Sequence, residues 1–223
     1  MVQINNVENS STLPQFYSDF LDGKRRLNSK EIKILKACNT NDDPHWANVW
    51  VDKNEFNPHL ISGCEIHGFL VVGALRDISL RYHDLVLTAG LYNSYVQNVV
   101  VGDDSVVRNV HYLSNYKIGS RDIIFNIDEM SCTNHSKFGN GVLKEGEPES
   151  NRVWIGVGNE NDARAVLPFE DMIPADAYVW AKYRDDAYLQ RRFVELTEEN
   201  NSKALDTFGI IEDDVVIKNT PLL

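Results

Sequence analysis

The sequence predicts a mainly β chain built as a solenoid, in which short parallel strands stack coil upon coil. An apolar residue followed by glycine recurs at Val101-Gly102, Ile118-Gly119, Phe138-Gly139 and Ile155-Gly156, with glycine spacings of 17, 20 and 17. The residues after the first two glycines repeat as well. Val106-Val107-Arg108-Asn109-Val110 aligns with Ile123-Ile124-Phe125-Asn126-Ile127 at a fixed offset of 17. A period this short cannot close its own core, so each unit, three hexapeptides long, must bury its aliphatic row by stacking on its neighbours.

Composition sets the bounds. With 223 residues, 43% of them hydrophobic, the chain has the material for a sizeable core. Its formal charge of -11 and the absence of any long basic block argue against a broad nucleic-acid surface, so no nucleic-acid partner is expected. Three cysteines at wide spacings argue against a disulfide framework. The asparagine- and serine-rich start lacks the charge and apolar run of a secretory signal, and no apolar run approaches the length of a membrane helix, so a cytoplasmic location without a membrane partner is expected.

Along the chain, residues 1–59 read as a polar tail, a helix and an aromatic cap. Asn28 with Glu31 has the form of a capping box, Leu27 can staple onto Ile32, and a helix over 29–38 is predicted. Trp46, Val49, Trp50 and Val51 then supply the cap that a solenoid end needs. Residues 60–158 carry short Val- and Ile-rich runs bounded by Gly, Asn and Asp, the pattern of brief parallel strands rather than a helix. Asn98, Asn109 and Asn126 fall where a coil must turn and read as corner residues, since asparagine tolerates left-handed backbone. Residues 159–208 read as a polar loop and a helical insert. Its helical stretch, from Ala175 to about Asn200, is either broken in two or buried on both sides. Residues 209–223 restart the coil signature: Gly209 to Asn219 aligns with Val100 to Asn109. A solenoid stopping in mid-coil leaves an open strand edge, so the chain is expected to be a fragment of a longer protein or to pair with another subunit.

The hexapeptide pattern from about Leu60 to Gly158 resembles the left-handed parallel β-helix of trimeric acyltransferases and of the C-terminal domains of sugar-nucleotide pyrophosphorylases. Trp50-Val51, the coils around Gly102 and Gly119, and the run Asn159 to Phe169 are similar to a bacterial hexapeptide-repeat family of unknown function, whose longer members join solenoid to helical insert and then to more solenoid. Where that family carries a glycine pair, this chain has Asp162-Ala163. The resemblance implies a single-stranded left-handed parallel β-helix of five to six coils, with an N-terminal helix and a C-terminal helical insert. It also implies a homo-oligomer, and a histidine base set in a groove between subunits.

That implication makes each histidine worth weighing. His111, inside the best repeat, and His135 are the catalytic candidates, because imidazole shuttles protons near neutral pH. Glu160 and Arg164, where solenoid gives way to insert, are the substrate-binding candidates: an arginine can clamp a phosphate or carboxylate while a glutamate acts as base. Cys132 and His135 make only half a zinc site, so no metal is expected. Gly156-Val157-Gly158 lacks the lysine and the Ser/Thr of a phosphate loop, and no cofactor is identified. The expected function is transfer of an acyl or nucleotidyl group to an activated sugar, with a sugar or nucleotide-sugar as ligand. The alternative is a noncatalytic scaffold or carbohydrate-binding solenoid.

Overall fold

A computed structural model describes residues 20–133, 135–137, 139–158, 164–199, 203 and 208–219. Two compact units emerge, Met1–Cys132 with Phe208–Leu223, and Thr133–Thr207. The first contains β1 (Lys24–Arg26), α1 (Ser29–Lys36), β2 (Thr40–Asn41), β3 (Val49–Asp52), β4 (Ile61–Ser62) and β5 (Glu65–Val72). It continues with the hairpin β6 (Ser79–Tyr82) and β7 (Leu85–Thr88), then β8 (Gly90–Tyr92), β9 (Tyr95–Val101), β10 (Val106–Ile118) and β11 (Ile123–Ser131). The second unit holds β12 (Ile155–Gly156), β13 (Ala165–Val166), α2 (Pro174–Lys182) and α3 (Ala187–Glu199). The chain then returns to the first unit as β14 (Gly209–Ile211) and β15 (Val216–Lys218).

The regular left-handed β-helix is corrected by this topology. Eleven strands of mixed sense form one sheet, in the order β1-β3-β5-β9-β10-β11-β15 with four short strands alongside, and the sheet curls into a half-barrel. β1 runs antiparallel to β3, whereas β3, β5, β9, β10, β11 and β15 are parallel in turn. No constant period relates the layers: β4 faces β8 at an offset of 30, β10 faces β11 at 17, and β11 faces β15 at 93. β10 is one strand of 13 residues that turns at Asn109 and Asn115 while its ladder continues. The physical reason is that the 17-residue repeat spans only three consecutive strands, β9 on β10 and β10 on β11. Of the two further members of the glycine series, Gly139 lies in a turn of the second unit, and Ile155-Gly156 forms β12, antiparallel to β13; Phe138 lies outside the described residues.

Within the sheet, alternate residues point inward. Val107, Ile124, Leu91 and Val99 are fully buried in one aliphatic core with Ile66, Leu70, Val110 and Leu113. α1 lies at its end. The Asn28 carboxamide accepts from the Glu31 amide (3.1 Å), the Glu31 carboxylate accepts from the Asn28 amide (2.8 Å), and Leu35 is fully buried. The Arg25 guanidinium, bonded to both Glu31 oxygens, holds that carboxyl below its usual range. Trp46 joins the aliphatic core, and Trp50 packs with Phe69, Val71, Val100 and Phe208 beneath Arg26. In the second unit the helical stretch is two helices: the Asp186 carboxylate accepts from the Tyr188 and Leu189 amides, starting α3 afresh, and Trp180 of α2 stacks on Phe193 of α3.

The recurrent glycines have a steric cause. A Cβ on Gly102 would lie 2.5 Å from the Gly119 carbonyl carbon, and one on Gly119 would lie 2.6 Å from that of Glu212. Successive turns stack backbone on backbone. Gly119→Ala therefore forces the layers apart and should destabilise the protein by about 1–3 kcal/mol in chemical denaturation, the usual cost of overpacking; an unchanged midpoint would show that the turns can slide.

Asp122 sits in the same turn, fully buried. Its Oδ1 accepts from the Val215 amide at 2.7 Å, while Oδ2 has no hydrogen-bond partner among the described residues. Burial pushes this carboxyl up, with Asp213 and Asp214 adding like charge. The folded state thus binds the proton more tightly than the unfolded chain, so stability falls as pH rises from the ordinary aspartate value toward the raised one. Asp122→Asn keeps the acceptor and removes the charge. It should melt higher than the parent at pH 7.5, with the gap closing below about pH 4, as followed by thermal melts across pH.

Candidate functional site

One corner of the first unit gathers a histidine, an aspartate and three asparagines. Asn93, Asn109 and Asn126 follow β8, interrupt β10 and interrupt β11 with φ of 48°, 54° and 55°, the left-handed region that turns a strand without ending its ladder. Their carboxamides bond along the stack: Asn93 Nδ2 donates to Asn109 Oδ1 (3.3 Å), and Asn109 Nδ2 to Asn126 Oδ1 (3.0 Å). Gly63 opens the row because a Cβ there would meet the Asn93 Oδ1 at 2.4 Å. A second row runs from Gly68 through Asn98 and Asn115 to the Cys132 carbonyl.

Between the two corners the strands do not match residue for residue. β8 faces β10 at an offset of 16 (Tyr92 opposite Arg108), whereas β9 faces it at 17 (Val96 opposite Leu113). β10 therefore holds one residue more than its neighbour between these points. β11 keeps the offset of 17 on both sides and repeats the extra residue. Such bulges re-aim side chains outward. Here they project His111 and Asp128, which face each other across the pair with Nδ1 and Oδ1 3.1 Å apart. With Asn93, Asn109 and Asn126 they line an open groove of about 390 Å³. Beside them His67, Tyr95 and Tyr112 form a column of rings, with centroids 4.6 and 5.2 Å apart, and burial pushes the Tyr95 phenol up.

The chemistry is set by this arrangement. A carboxylate on Nδ1 orients an imidazole and leaves Nε2 to accept a proton, while the amide row offers both donors and acceptors to hydroxyl-bearing ligands. Both members of the dyad are open to solvent, His111 at 77% and Asp128 at 82% exposure.

The other candidates fall in the second unit or outside the described residues. His135 belongs to the second unit, with Nδ1 3.6 Å from a Glu147 oxygen. That carboxylate is bonded to Lys137 at 2.6 Å and accepts from the Lys144 amide, and the Lys137 ammonium holds its pKa below the usual range. Arg164 is exposed, and its carbonyl accepts from the Val157 amide in the β12–β13 pair. Glu160 lies outside the described residues. Cys132 is buried under Tyr116, and among the described residues no three His, Cys, Asp or Glu side chains converge in a metal-binding group. Sequence reasoning missed Asn93 and Asn115 as rungs and Asp128 as the orienting partner of His111, although the offset of 17 sets 128 beside 111 and 115 beside 98.

The class so defined is a mainly β protein whose curled mixed sheet carries a polar, histidine-bearing groove at one corner. Residues 24–223 match the family described as Domain of unknown function (DUF4954), to which the chain belongs. An "Uncharacterized protein" of Treponema pallidum (strain Nichols) is 35% identical over 199 residues, covering 89% of this chain and 27% of the relative, so the chain spans about a quarter of that relative's length. No solved structure matches. The hexapeptide-repeat resemblance is corrected accordingly: the family match is to this one and not to a hexapeptide-repeat family. Aliphatic alternation with glycine and asparagine at corners is what stacked parallel strands require in general, and it carries no family signature of its own.

The amide row makes a direct claim on stability. Asn109→Ala removes two rungs and puts a side chain without a local hydrogen bond into left-handed backbone, and should cost about 1–2 kcal/mol. Asn109→Gly, relieved of the steric term, should lose less. Equal losses for the two in urea unfolding would place the whole effect in the hydrogen bonds.

Proposed function

We propose that the corner groove binds a hydroxyl-rich ligand, an activated sugar, and that His111 acts there as general base in acyl or nucleotidyl transfer. The observation that carries this reading is the bulge shared by β10 and β11, which sets His111 against Asp128 over a row of carboxamides. His111 Nε2 takes the proton of a sugar hydroxyl as its oxygen attacks the acyl or phosphoryl centre of the donor. The donor bond breaks, and the imidazolium, steadied by Asp128, returns the proton to the leaving group. Assembly into a homo-oligomer is part of this reading. We place the protein in the cytoplasm, in keeping with its three unpaired cysteines, two of them buried. No described helix is long and apolar enough to cross a membrane.

A second reading, a noncatalytic carbohydrate-binding surface, is favoured by one observation: the openness of the dyad leaves water free access to the reacting groups. A screen of acyl-CoA and nucleotide-sugar donors with sugar acceptors, followed by product mass, separates the two. Transfer that falls about 100-fold or more in His111→Ala, with ligand binding retained, supports the base. Binding without transfer by any donor, or transfer indifferent to His111, assigns the groove to recognition alone.

A further inference from the structure

On the other side of the same corner, the residue just before each asparagine forms a second row. Tyr92, Arg108, Phe125 and Lys218 stand in register across β8, β10, β11 and β15. All four point away from the main core, because Leu91, Val107, Ile124 and Ile217, next to them in sequence, face it, and Phe125 packs in a second apolar cluster with Leu80, Leu85 and Leu87 of the β6–β7 hairpin. The Arg108 guanidinium lies 5.3 Å over the Tyr92 ring, and the Lys218 ammonium lies 5.9 Å from the Tyr82 ring of the β6–β7 hairpin. Neither cation makes an ion pair with a described carboxylate. Arg25, Arg76, Arg121, Arg152 and Arg192 are bound to acids, whereas Arg108 and Lys218 lean on aromatic rings, as Arg26 does on Trp50. Two strand spacings separate the two positions, roughly 10 Å. Asp77 is the acid whose charge reaches the Tyr92 phenol, and burial, the larger influence, raises that phenol further.

We infer that Arg108 and Lys218 form an anion subsite, so that the ligand of the corner is an anionic sugar carrying a phosphate or a carboxylate. Asn109 joins the two halves: Arg108 precedes it in the chain, and its own carboxamide lines the groove with His111. A sugar laid along the asparagine row therefore keeps its hydroxyls beside the dyad and directs its charged substituent over the corner. Tyr92, under the guanidinium, holds that group extended and gives the ring of the ligand an apolar surface. Arginine suits the task because its planar fork meets two oxygens of phosphate or carboxylate at once, while Lys218 adds a point charge.

The inference rests on the groove as a ligand site, and its test is binding rather than turnover. The full chain, labelled with ¹⁵N, is titrated with glucose 6-phosphate, glucuronate and glucose. Shifts are read at Arg108 Nε and at the side-chain amides of Asn109 and Asn126. At low salt, at least one anionic sugar should bind about tenfold or more tightly than glucose, the increment expected of a charge-assisted contact, and the preference should narrow as salt rises. The phosphate and carboxylate arms identify the anion. Arg108→Gln with Lys218→Gln should abolish the preference and leave glucose binding unchanged, and Arg108→Lys should restore part of it. Equal affinity for charged and neutral sugars, a preference that survives the double substitution, or silence of all three probes overturns the subsite. Failure of the general-base reading has a different signature: His111→Asn leaves both binding and any turnover unaltered while the anion preference persists.

Discussion

Left-handed backbone at the same corner of successive strands is the constraint on which the first unit depends, because it lets a strand turn while its hydrogen-bond ladder to the next layer continues. An ordinary side chain in that conformation costs about 1–2 kcal/mol per residue. At Asn93, Asn109 and Asn126 the cost is offset by carboxamides that bond rung to rung, and at Gly63 and Gly68 the absence of a Cβ makes room for the next carboxamide. With the corners pinned, the sides between them have a fixed register. A slip by one residue would turn Val107 and Ile124 out of the core, so the aliphatic packing and the corner chemistry enforce one another.

The candidate site is a consequence of that rigidity. Asn109 and Asn115 fix both ends of one segment of β10, and an extra residue between them can be accommodated only by pushing side chains outward. Because β11 carries the same extra residue at the same height, two outward side chains meet, and they are His111 and Asp128. A bulge in one strand alone would have presented an unpartnered histidine. The groove thus owes its geometry to register rather than to burial.

The legible part of the fold was local. The offset of 17 between Gly102 and Gly119 is visible as the register of β9 on β10 and continues in that of β10 on β11, and the capping box at Asn28 is present as read. Extending that offset to Gly139 and Gly156 misled, because glycine is demanded wherever backbones stack closely or turn, and a spacing of 17 or 20 does not say which. The larger offsets were hidden because the β6–β7 hairpin and the Thr133–Thr207 unit are spliced between adjacent layers. Asn93 escaped notice because the extra residue in β10 shifts it to an offset of 16 from Asn109. Glu160 and Arg164 rest on charge and on a place before the insert, and position in sequence carries no orientation.

The way the chain re-enters the first unit shows what sets the identity of a layer. After Cys132 it leaves, and after Phe208 it returns so that Gly209 lies against Tyr116 and Val216 against Ile123, both at an offset of 93. The returning turn repeats the interactions of an earlier one. Asp103 Oδ1 accepts from the Ala74 amide and Asp104 pairs with Arg76, just as Asp213 Oδ1 accepts from the Ser120 amide and Asp214 pairs with Arg121. Loop-closure entropy grows only logarithmically with the length spliced in, so a long excursion weighs little against a full set of turn contacts. Layer order is accordingly governed by which turn carries the matching glycine, aspartate and arginine, not by distance along the chain. The same rule lets Lys218, far away in sequence, complete the row begun by Tyr92 and Arg108.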